Sequence, residues 1–360
     1  RLDLFHNILD FVLAYGDEAL RALDRADFDP RQQQWLDELI RDGLLEQAAG
    51  RWRLTPKAIT TMQRRALAEV FKELRRGRCD GHPARHPGAI GERADGTRPY
   101  EYGDPISELE PVATLRNALR RGGASKPVRI DSQDFEIHQT ESQTSVSMVI
   151  LLDQSGSMAR YDRFVNAKKC AMALHALIRQ QFSFDTVDVI GFYSGAAVIP
   201  EHRLPLATPK RVTIFDPAVR MRVPLDQVEQ GPPHFTNLHL GLTMARRLLA
   251  KRAGDTKQIF IITDGEPTAH VEGDDVLLLY PPDQTSAVAT LKEAVRCTMA
   301  GIRISTFALI EDYAYMDWVG FVDQLARLTR GVAFYTASGD LSNCILESYL
   351  SGRRTRRAFL

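Results

Sequence analysis

Hydrophobic residues in the second half of the chain fall into short, nearly continuous runs that alternate with amphipathic stretches. The runs predict buried strands, because a parallel sheet covered on both faces needs apolar side chains on both. They are SVSMVILL, VDVIGFY, QIFIIT, IRISTFAL and VAFYT. The helical spacing between them predicts helices at 163–181 and near 237–252, 285–300, 314–329 and 340–351. This alternation predicts an α/β fold with a doubly wound, mostly parallel sheet over residues 145–352.

The first 76 residues carry a different pattern. Helical spacing predicts a helix that opens at Pro30, and a turn at Gly50 separates two short alternating stretches. A further helix is predicted from Pro56 to about Leu74, since proline suits a first helical turn. The order of helix, two short strands and helix resembles a winged-helix module. Residues 1–76 are therefore predicted to form a small helical, winged-helix-like domain that precedes the α/β domain.

The charge of this N-terminal part disfavours DNA binding, which is a common function of winged helices. Residues 1–76 contain 13 basic and 13 acidic side chains, whereas phosphate contacts need clustered positive charge. The helix that opens at Pro30, which would be the recognition helix, carries three acidic residues and two arginines. A scaffold or protein-contact module is the preferred interpretation, and a DNA-binding regulator acting through residues 1–76 is kept as an alternative.

Two connecting segments separate these parts. Residues 77–104 are rich in Gly, Pro and Arg and nearly lack apolar residues, which predicts a flexible linker. Within it, Cys79, His82 and His86 have a spacing that a zinc site could use, but no fourth ligand is evident, so a solvated linker is preferred. Residues 105–144 hold a short helix and two alternating stretches and are predicted to lead into the α/β domain.

Composition narrows the function classes. The 360 residues suggest two domains, and 46 basic against 46 acidic side chains give no overall attraction to nucleic acid or an anionic membrane. No apolar run approaches the roughly 18 residues of a membrane span, and the amphipathic start lacks the features of a signal peptide. Four widely spaced cysteines suit a reducing compartment. A cytoplasmic protein without membrane contact is expected, and residues 353–360 are predicted to be a solvated basic tail.

Candidate chemistry lies at the ends of two predicted strands. The first strand runs directly into a loop in which Asp153, Ser155 and Ser157 alternate, so their side-chain oxygens can converge. The strand QIFIIT ends at Asp264, and Thr236 lies on a loop just before a helix. Ligands of doubly wound sheets bind beyond the carboxyl ends of the strands. We therefore expect these five residues to meet at one edge of the sheet.

Two carboxylates and three hydroxyls form an all-oxygen cluster. Such a cluster favours Mg²⁺, with Mn²⁺ or Ca²⁺ as alternatives, over zinc. Neutral hydroxyl ligands leave the charge of a cation incompletely balanced, so an Asp or Glu of a partner protein would complete its coordination. Glu266 is the only nearby candidate base, and the chain has no P-loop, no G-x-G-x-x-G and no G-x-S-x-G. A binding protein rather than an enzyme is predicted.

The pattern D-x-S-x-S followed by Thr and Asp resembles the metal-ion-dependent adhesion site (MIDAS) of von Willebrand factor A domains. All five positions match, and the resemblance covers about residues 145–350. It implies that Asp153, Ser155, Ser157, Thr236 and Asp264 hold the metal. The hydroxyls and one carboxylate would bind the metal directly, and the other carboxylate would bind it through water. The resemblance leaves open which of Asp153 and Asp264 binds directly.

A narrower resemblance concerns the partner. TLRNALRRGG, PVRIDSQDFEI and VSMVILLDQSGSM are similar to the approach to the A domain in the magnesium-chelatase D subunit. ITDGEPTAH and LARLTRGVAFYT are similar to bacterial A-domain proteins associated with AAA+ ATPases of the MoxR or chelatase I type. The resemblance implies an adaptor for such an ATPase, and a chelatase-like metal-insertion subunit is the alternative. One departure is that the winged-helix-like segment stands where the chelatase has an AAA-like module and an acidic, Pro-rich linker.

Two insertions are candidates for surfaces that select the partner. Residues 200–234 precede the Thr236 loop, and residues 268–284 follow Asp264. Both are predicted to project near the metal edge, where loops carry function. Simple padding between elements is an equally open interpretation.

Overall fold

The structure is a computed structural model of the 360-residue chain. It describes residues 10–25, 30–48, 50–74, 93–101, 109–123, 128–140, 145–182, 184–309 and 316–336, with 341, 344, 345, 348 and 349. No helix within these residues is long and apolar enough to cross a membrane. The residues proposed for a zinc site and the basic tail lie outside the described residues.

The N-terminal part consists of helices around one hairpin. Its elements are α1 (Asp17–Arg25), α2 (Pro30–Arg41), β1 (Leu45–Ala48), β2 (Arg51–Leu54) and α3 (Pro56–Leu74). The hairpin pairs Leu45 with Leu54 in antiparallel register. It turns at Gly50, whose φ of +71° lies in the left-handed region that glycine tolerates. The predicted order of helix, two short strands and helix is present.

The described residues of 93–140 belong to a compact unit of their own. Its elements are β3 (Arg93–Pro99), α4 (Pro111–Gly122) and β4 (Glu136–Thr140), with β3 and β4 antiparallel. The side chains of Arg121 and Asp134 form a 2.7 Å ion pair that ties the end of α4 to the turn before β4. The prediction of a flexible linker is wrong for 93–99, because its polar sequence forms a strand through backbone pairing and shows no apolar pattern. Residues 77–92 and 102–104 of the predicted linker lie outside the described residues.

The α/β domain is built on a six-stranded sheet. Its strands are β5 (Val146–Asp153), β6 (Thr186–Phe192), β7 (Ala196–Ile199), β9 (Thr256–Thr263), β12 (Ile302–Leu309) and β13 (Val332–Thr336). The spatial order is β13-β12-β9-β5-β6-β7, and only β7 runs antiparallel to its neighbour. This confirms the predicted α/β class and the mostly parallel sheet. All eight residues of β5 are buried, as its apolar run requires.

Helices cover both faces of this sheet. They are α5 (Arg163–Gln181), α6 (Leu238–Ala250), α7 (Gln284–Met299) and α8 (Met316–Thr329). The alternating side chains of β5 divide between two cores: Ile150 faces α5, whereas Leu151 faces the side covered by α6, α7 and α8. The described residues of the predicted helix 340–351 are helical, and Leu341 and Tyr349 are buried on the α5 side.

The two insertions join into one small sheet. Strand β8 (Val219–Pro224) comes from the first insertion, and β10 (Ala269–Glu272) and β11 (Asp275–Tyr280) come from the second. They pair antiparallel in the order β10-β11-β8 over a core of their own that includes Phe235 and Leu278. Neither insertion is therefore loose padding.

The N-terminal part and the α/β domain form one compact unit with a continuous core. Lys168 of α5 is completely buried, and its Nζ donates to the carbonyl oxygens of Leu13 (2.6 Å), Pro205 (2.9 Å) and Ala207 (2.8 Å). Burial lowers the pKa of Lys168 to about 7. Gln63 of α3 adds a 2.9 Å hydrogen bond to Glu201. The apolar side chains of α3 pack against those of α5 in the same core and are buried from solvent.

Candidate metal centre

Asp153 is the most deeply buried of the five predicted site residues. It is the last residue of β5 and has no exposed surface. Its Oδ1 accepts from the backbone N–H of Ser155 at 2.8 Å, and its Oδ2 accepts from the Thr263 hydroxyl at 2.5 Å. Burial, together with the charge of Asp264, raises the pKa of Asp153 to about 7. A cation beside this carboxylate would therefore favour its ionised form.

A chain of oxygens joins the Ser loop to the next strand. Ser155 Oγ lies 3.1 Å from Ser157 Oγ, and the Ser157 hydroxyl donates to Asp264 Oδ1 at 2.7 Å. Asp264 follows β9, which pairs in parallel with β5 and so ends at the same edge. Ser157 is exposed, so solvent and partners reach the cluster from that side. Sequence reasoning placed these residues at one edge, and the structure brings their side chains within hydrogen-bonding distance.

Thr236 lies on the third loop of the site. It is buried, and its backbone N–H donates to the Thr268 hydroxyl at 2.8 Å. The adjacent Asn237 caps α6 by accepting from the N–H of Leu240 at 3.0 Å. This loop reaches the Ser loop through the backbone, because Gly156 N–H donates to the carbonyl of His234 at 3.1 Å. All three predicted loops therefore meet at the sheet edge.

Two residues of the site escaped sequence reasoning. Thr263 donates the hydroxyl that holds Asp153, and Arg163, the first residue of α5, places Nη1 2.7 Å from Asp264 Oδ2. The Asp264 side chain is fully buried and that of Arg163 is 12% exposed. Position is the signal that could have found them: Thr263 directly precedes Asp264, and Arg163 opens the helix that follows the Ser loop.

The donor set fits a small divalent cation. Mg²⁺ prefers octahedral oxygen ligands at about 2.0–2.1 Å, which puts adjacent ligand oxygens about 3 Å apart. The two oxygen–oxygen distances along Ser155, Ser157 and Asp264 are 3.1 and 2.7 Å. Asp153 supplies a buried carboxylate next to them. Both the spacing of the oxygens and the unbalanced buried charge suit a hard cation at this point.

The first insertion lies against the Ser loop. Gln154 donates from Nε2 to the carbonyl of Thr208 (2.9 Å), and its own carbonyl accepts from Lys210 N–H (2.8 Å). A Cβ placed on Gly156 would come within 2.6 Å of Val212 Cγ2. A side chain at position 156 would therefore displace Val212 of the insertion, and the constraint on this glycine is close approach rather than a left-handed backbone. The first insertion contacts the sheet edge that carries the candidate site.

The three histidines near the site have partners in the scaffold. His234 Nδ1 lies 3.3 Å from the N–H of Thr213, His239 Nδ1 accepts from Val271 N–H at 3.2 Å, and His270 Nδ1 lies 2.9 Å from the Ser286 hydroxyl. Burial lowers the pKa of all three, which favours neutral rings near pH 7. These contacts are those of loop and helix-face residues.

Comparison with known proteins places two parts of the chain in one family. Residues 146–350 match the family model described as Rv0959-like protein, vWA domain, and residues 92–140 match Rv0959-like protein, third domain. The uncharacterized protein Rv0959 of Mycobacterium tuberculosis H37Rv is 32% identical over 340 residues, which cover 92% of this chain and 47% of that protein. Uncharacterized protein Mb0984 of Mycobacterium bovis matches with the same values. The chain thus spans about half the length of the curated relatives it matches.

Solved structures add more distant similarities. The conserved hypothetical protein BatB from Bacteroides thetaiotaomicron aligns with a TM-score of 0.39 and 18% identity, over 58% of this chain and 99% of that one. The vWF domain of the type V pili tip protein Mfa5 from Porphyromonas gingivalis aligns with a TM-score of 0.40 and 13% identity, over 58% and 96%. At these values the similarities say nothing about ligands.

Proposed function

Because the chain belongs to the Rv0959-like protein family and carries its von Willebrand factor A domain at residues 146–350, we propose that it is a metal-dependent protein-interaction adaptor rather than an enzyme. Asp153, Ser155, Ser157, Thr236 and Asp264 would hold one divalent cation, Mg²⁺ by preference and Mn²⁺ or Ca²⁺ as alternatives. A bound cation would supply a Lewis-acidic position that an Asp or Glu of the partner protein completes.

The observation that carries this proposal is the convergence of oxygens from separate loops. Ser155, Ser157 and Asp264 lie in one hydrogen-bonded chain, and Asp153 is buried beside them. Burial first, and repulsion by the nearby Asp264 carboxylate second, raise the pKa of Asp153. A divalent cation between these oxygens would offset both costs, which supports the proposal of a metal site at this point.

The other residues of the site orient the donors. Thr263 and the N–H of Ser155 each occupy one oxygen of Asp153, and they fix its carboxylate plane. Gln154 and Gly156 hold the Ser loop against the first insertion and the Thr236 loop. Ser157 stays exposed at the open side. We propose that a partner carboxylate approaches from the side on which Ser157 is exposed.

For the partner we propose an AAA+ ATPase of the MoxR or chelatase I type, or a client protein that such an ATPase remodels. The support is the resemblance of ITDGEPTAH and LARLTRGVAFYT to A-domain proteins associated with these ATPases. A cytoplasmic location follows from this partnership as part of the proposal. Metal insertion and DNA binding through residues 1–76 stay alternatives without a structural observation in their favour.

Cation uptake is tested by titrating Mg²⁺ and Mn²⁺ into the full chain by calorimetry. One equivalent should bind, and Asp153→Asn and Ser157→Ala should weaken binding strongly. Asp162→Asn is the matched control, because Asp162 is an exposed carboxylate that makes no capping hydrogen bond, and asparagine tolerates its φ of +53°. Absence of heat and of any stabilisation by either ion would contradict the metal-dependent function.

The partnership is tested by co-expressing the chain with a MoxR- or chelatase I-type ATPase encoded in the same genome. We expect the two to co-purify in Mg²⁺ and to separate in EDTA or with Asp153→Asn. A complex that survives both treatments would show that the ATPase binds elsewhere on the chain. A failure to bind any such ATPase, with metal uptake intact, would remove the partner but not the metal site.

A further inference from the structure

Arg163 is a positive charge built into the candidate metal centre. We propose that it makes cation binding and carboxylate binding depend on each other, so that the site holds its metal firmly only when a partner carboxylate is present. This inference rests on the proposed function and adds a property that the five donor residues alone do not give.

The contact that carries the inference joins a buried carboxylate to a largely buried guanidinium group. Arg163 Nη1 lies 2.7 Å from Asp264 Oδ2, while the other oxygen of Asp264 accepts from Ser157 at 2.7 Å. The Asp264 side chain is fully buried and that of Arg163 is 12% exposed, so water screens the pair weakly. Asp264 therefore meets a cation as a carboxylate that is already partly neutralised.

The formal charge of the cluster changes with each group that binds. Asp153, Asp264 and Arg163 together carry −1 when both carboxylates are ionised. A divalent cation brings the cluster to +1, and a partner carboxylate then brings it to zero. Without Arg163 the same cluster would be neutral with the cation alone and would become −1 when the carboxylate arrives. Since unbalanced buried charge is costly, Arg163 shifts the stable state from cation alone to cation plus carboxylate.

Arg163 contacts Asp264 through one nitrogen, Nη1, and not as a bidentate pair. The Nε of Arg163 is buried and has no hydrogen-bond partner among the described residues. The guanidinium Cζ lies 5.1 Å from the ring centre of Tyr161, which is 61% exposed. Tyr161 and Asp162, the two residues before Arg163, have φ values of +55° and +53°, which lie in the left-handed region.

The test measures Mn²⁺ affinity by the electron paramagnetic resonance signal of the free ion, without and with saturating acetate at constant ionic strength. In the natural chain, acetate should raise Mn²⁺ affinity. Arg163→Met and Arg163→Gln should bind Mn²⁺ alone roughly tenfold or more tightly, and acetate should help them much less. Glutamine is included because it keeps a hydrogen-bond donor for Asp264 without the charge. Circular dichroism and thermal unfolding establish that each variant is folded.

Two controls separate charge from structure. Arg163→Lys keeps the charge and should behave like the natural chain. Arg160→Met removes an exposed arginine three residues away, and it should leave both affinities within a factor of about two because solvent screens it. Folded Met and Gln variants that bind Mn²⁺ no more tightly, or that gain as much from acetate as the natural chain, would overturn the inference. If the natural chain takes up no Mn²⁺ at all, the proposed function fails as well.

Discussion

Gly16 allows the sharpest test of how the N-terminal part is held against the α/β domain. It lies between the helical segment 10–15 and α1, with a φ of +56°. A Cβ at this position would come within 2.2 Å of the carbonyl oxygen of Leu206 and 2.7 Å of Thr208 Cγ2. Gly16→Ala therefore combines a left-handed backbone with a clash against main chain that cannot move independently. We expect it to lower the free energy of unfolding by about 2–5 kcal/mol.

The chain provides its own control for this variant. Gly50 has a φ of +71°, but a Cβ there meets nothing within 4 Å, so Gly50→Ala should cost only about 1 kcal/mol. Urea denaturation followed by fluorescence gives the difference, and hydrogen exchange locates it. Exchange in Gly16→Ala should increase along α3 and the facing side of α5, while the central strands stay protected. Equal losses for the two variants would show that residue 16 does not sit against residues 206–208.

The remaining predictions concern Lys168 and Thr263. Lys168→Met leaves three carbonyl oxygens without their donor and should lower the free energy of unfolding by about 2–4 kcal/mol. The neighbouring Lys169→Met removes a surface ion pair with Glu69 at 3.5 Å and should lower it by less than about 1 kcal/mol in the same urea titration. Equal losses for the two variants would refute the role of Lys168. Burial lowers the pKa of Lys168 from the ordinary lysine value of 10.5 to about 7. Between pH values of about 7 and 10.5, the folded chain therefore binds fewer protons than the unfolded chain. The natural chain should therefore gain stability relative to Lys168→Met as pH rises through this window, and parallel pH profiles of the two proteins would contradict this. Thr263→Val removes the hydroxyl that holds Asp153 and should weaken Mg²⁺ binding about tenfold by calorimetry; unchanged affinity would mean that Asp153 needs no such support.

Much of the α/β domain could be predicted because its strands are buried on both faces. A run such as that of β5, with every residue buried, leaves little choice of structure. The small sheet of β8, β10 and β11 could not be predicted, because β8 pairs with β11 across about fifty residues of chain and each strand is short. Strand β3 was missed for a related reason: its sequence RADGTRP carries no apolar alternation, and only pairing with β4 defines it.

The candidate site also contains residues that could be predicted from the sequence and residues that could not. Asp153, Ser155, Ser157 and Asp264 could be placed together because parallel strands bring their carboxyl ends to one edge, and the pattern of hydroxyls and carboxylates is unusual. Arg163 and Thr263 could not, because an arginine at a helix start and a threonine in a strand are ordinary residues. Only distances show that one neutralises Asp264 and the other holds Asp153.

The contacts of the first insertion connect the N-terminal part to the candidate site. Lys168 binds the carbonyl of Leu13 on one side and those of Pro205 and Ala207 on the other. The carbonyl of the next residue, Thr208, accepts from Gln154, which lies between Asp153 and Ser155 in the Ser loop. The same short segment is therefore fixed at one end by the N-terminal part and at the other by the loop that carries the donors. Since packed segments of this kind transmit displacement rather than absorb it, the N-terminal part belongs to the scaffold that positions the site.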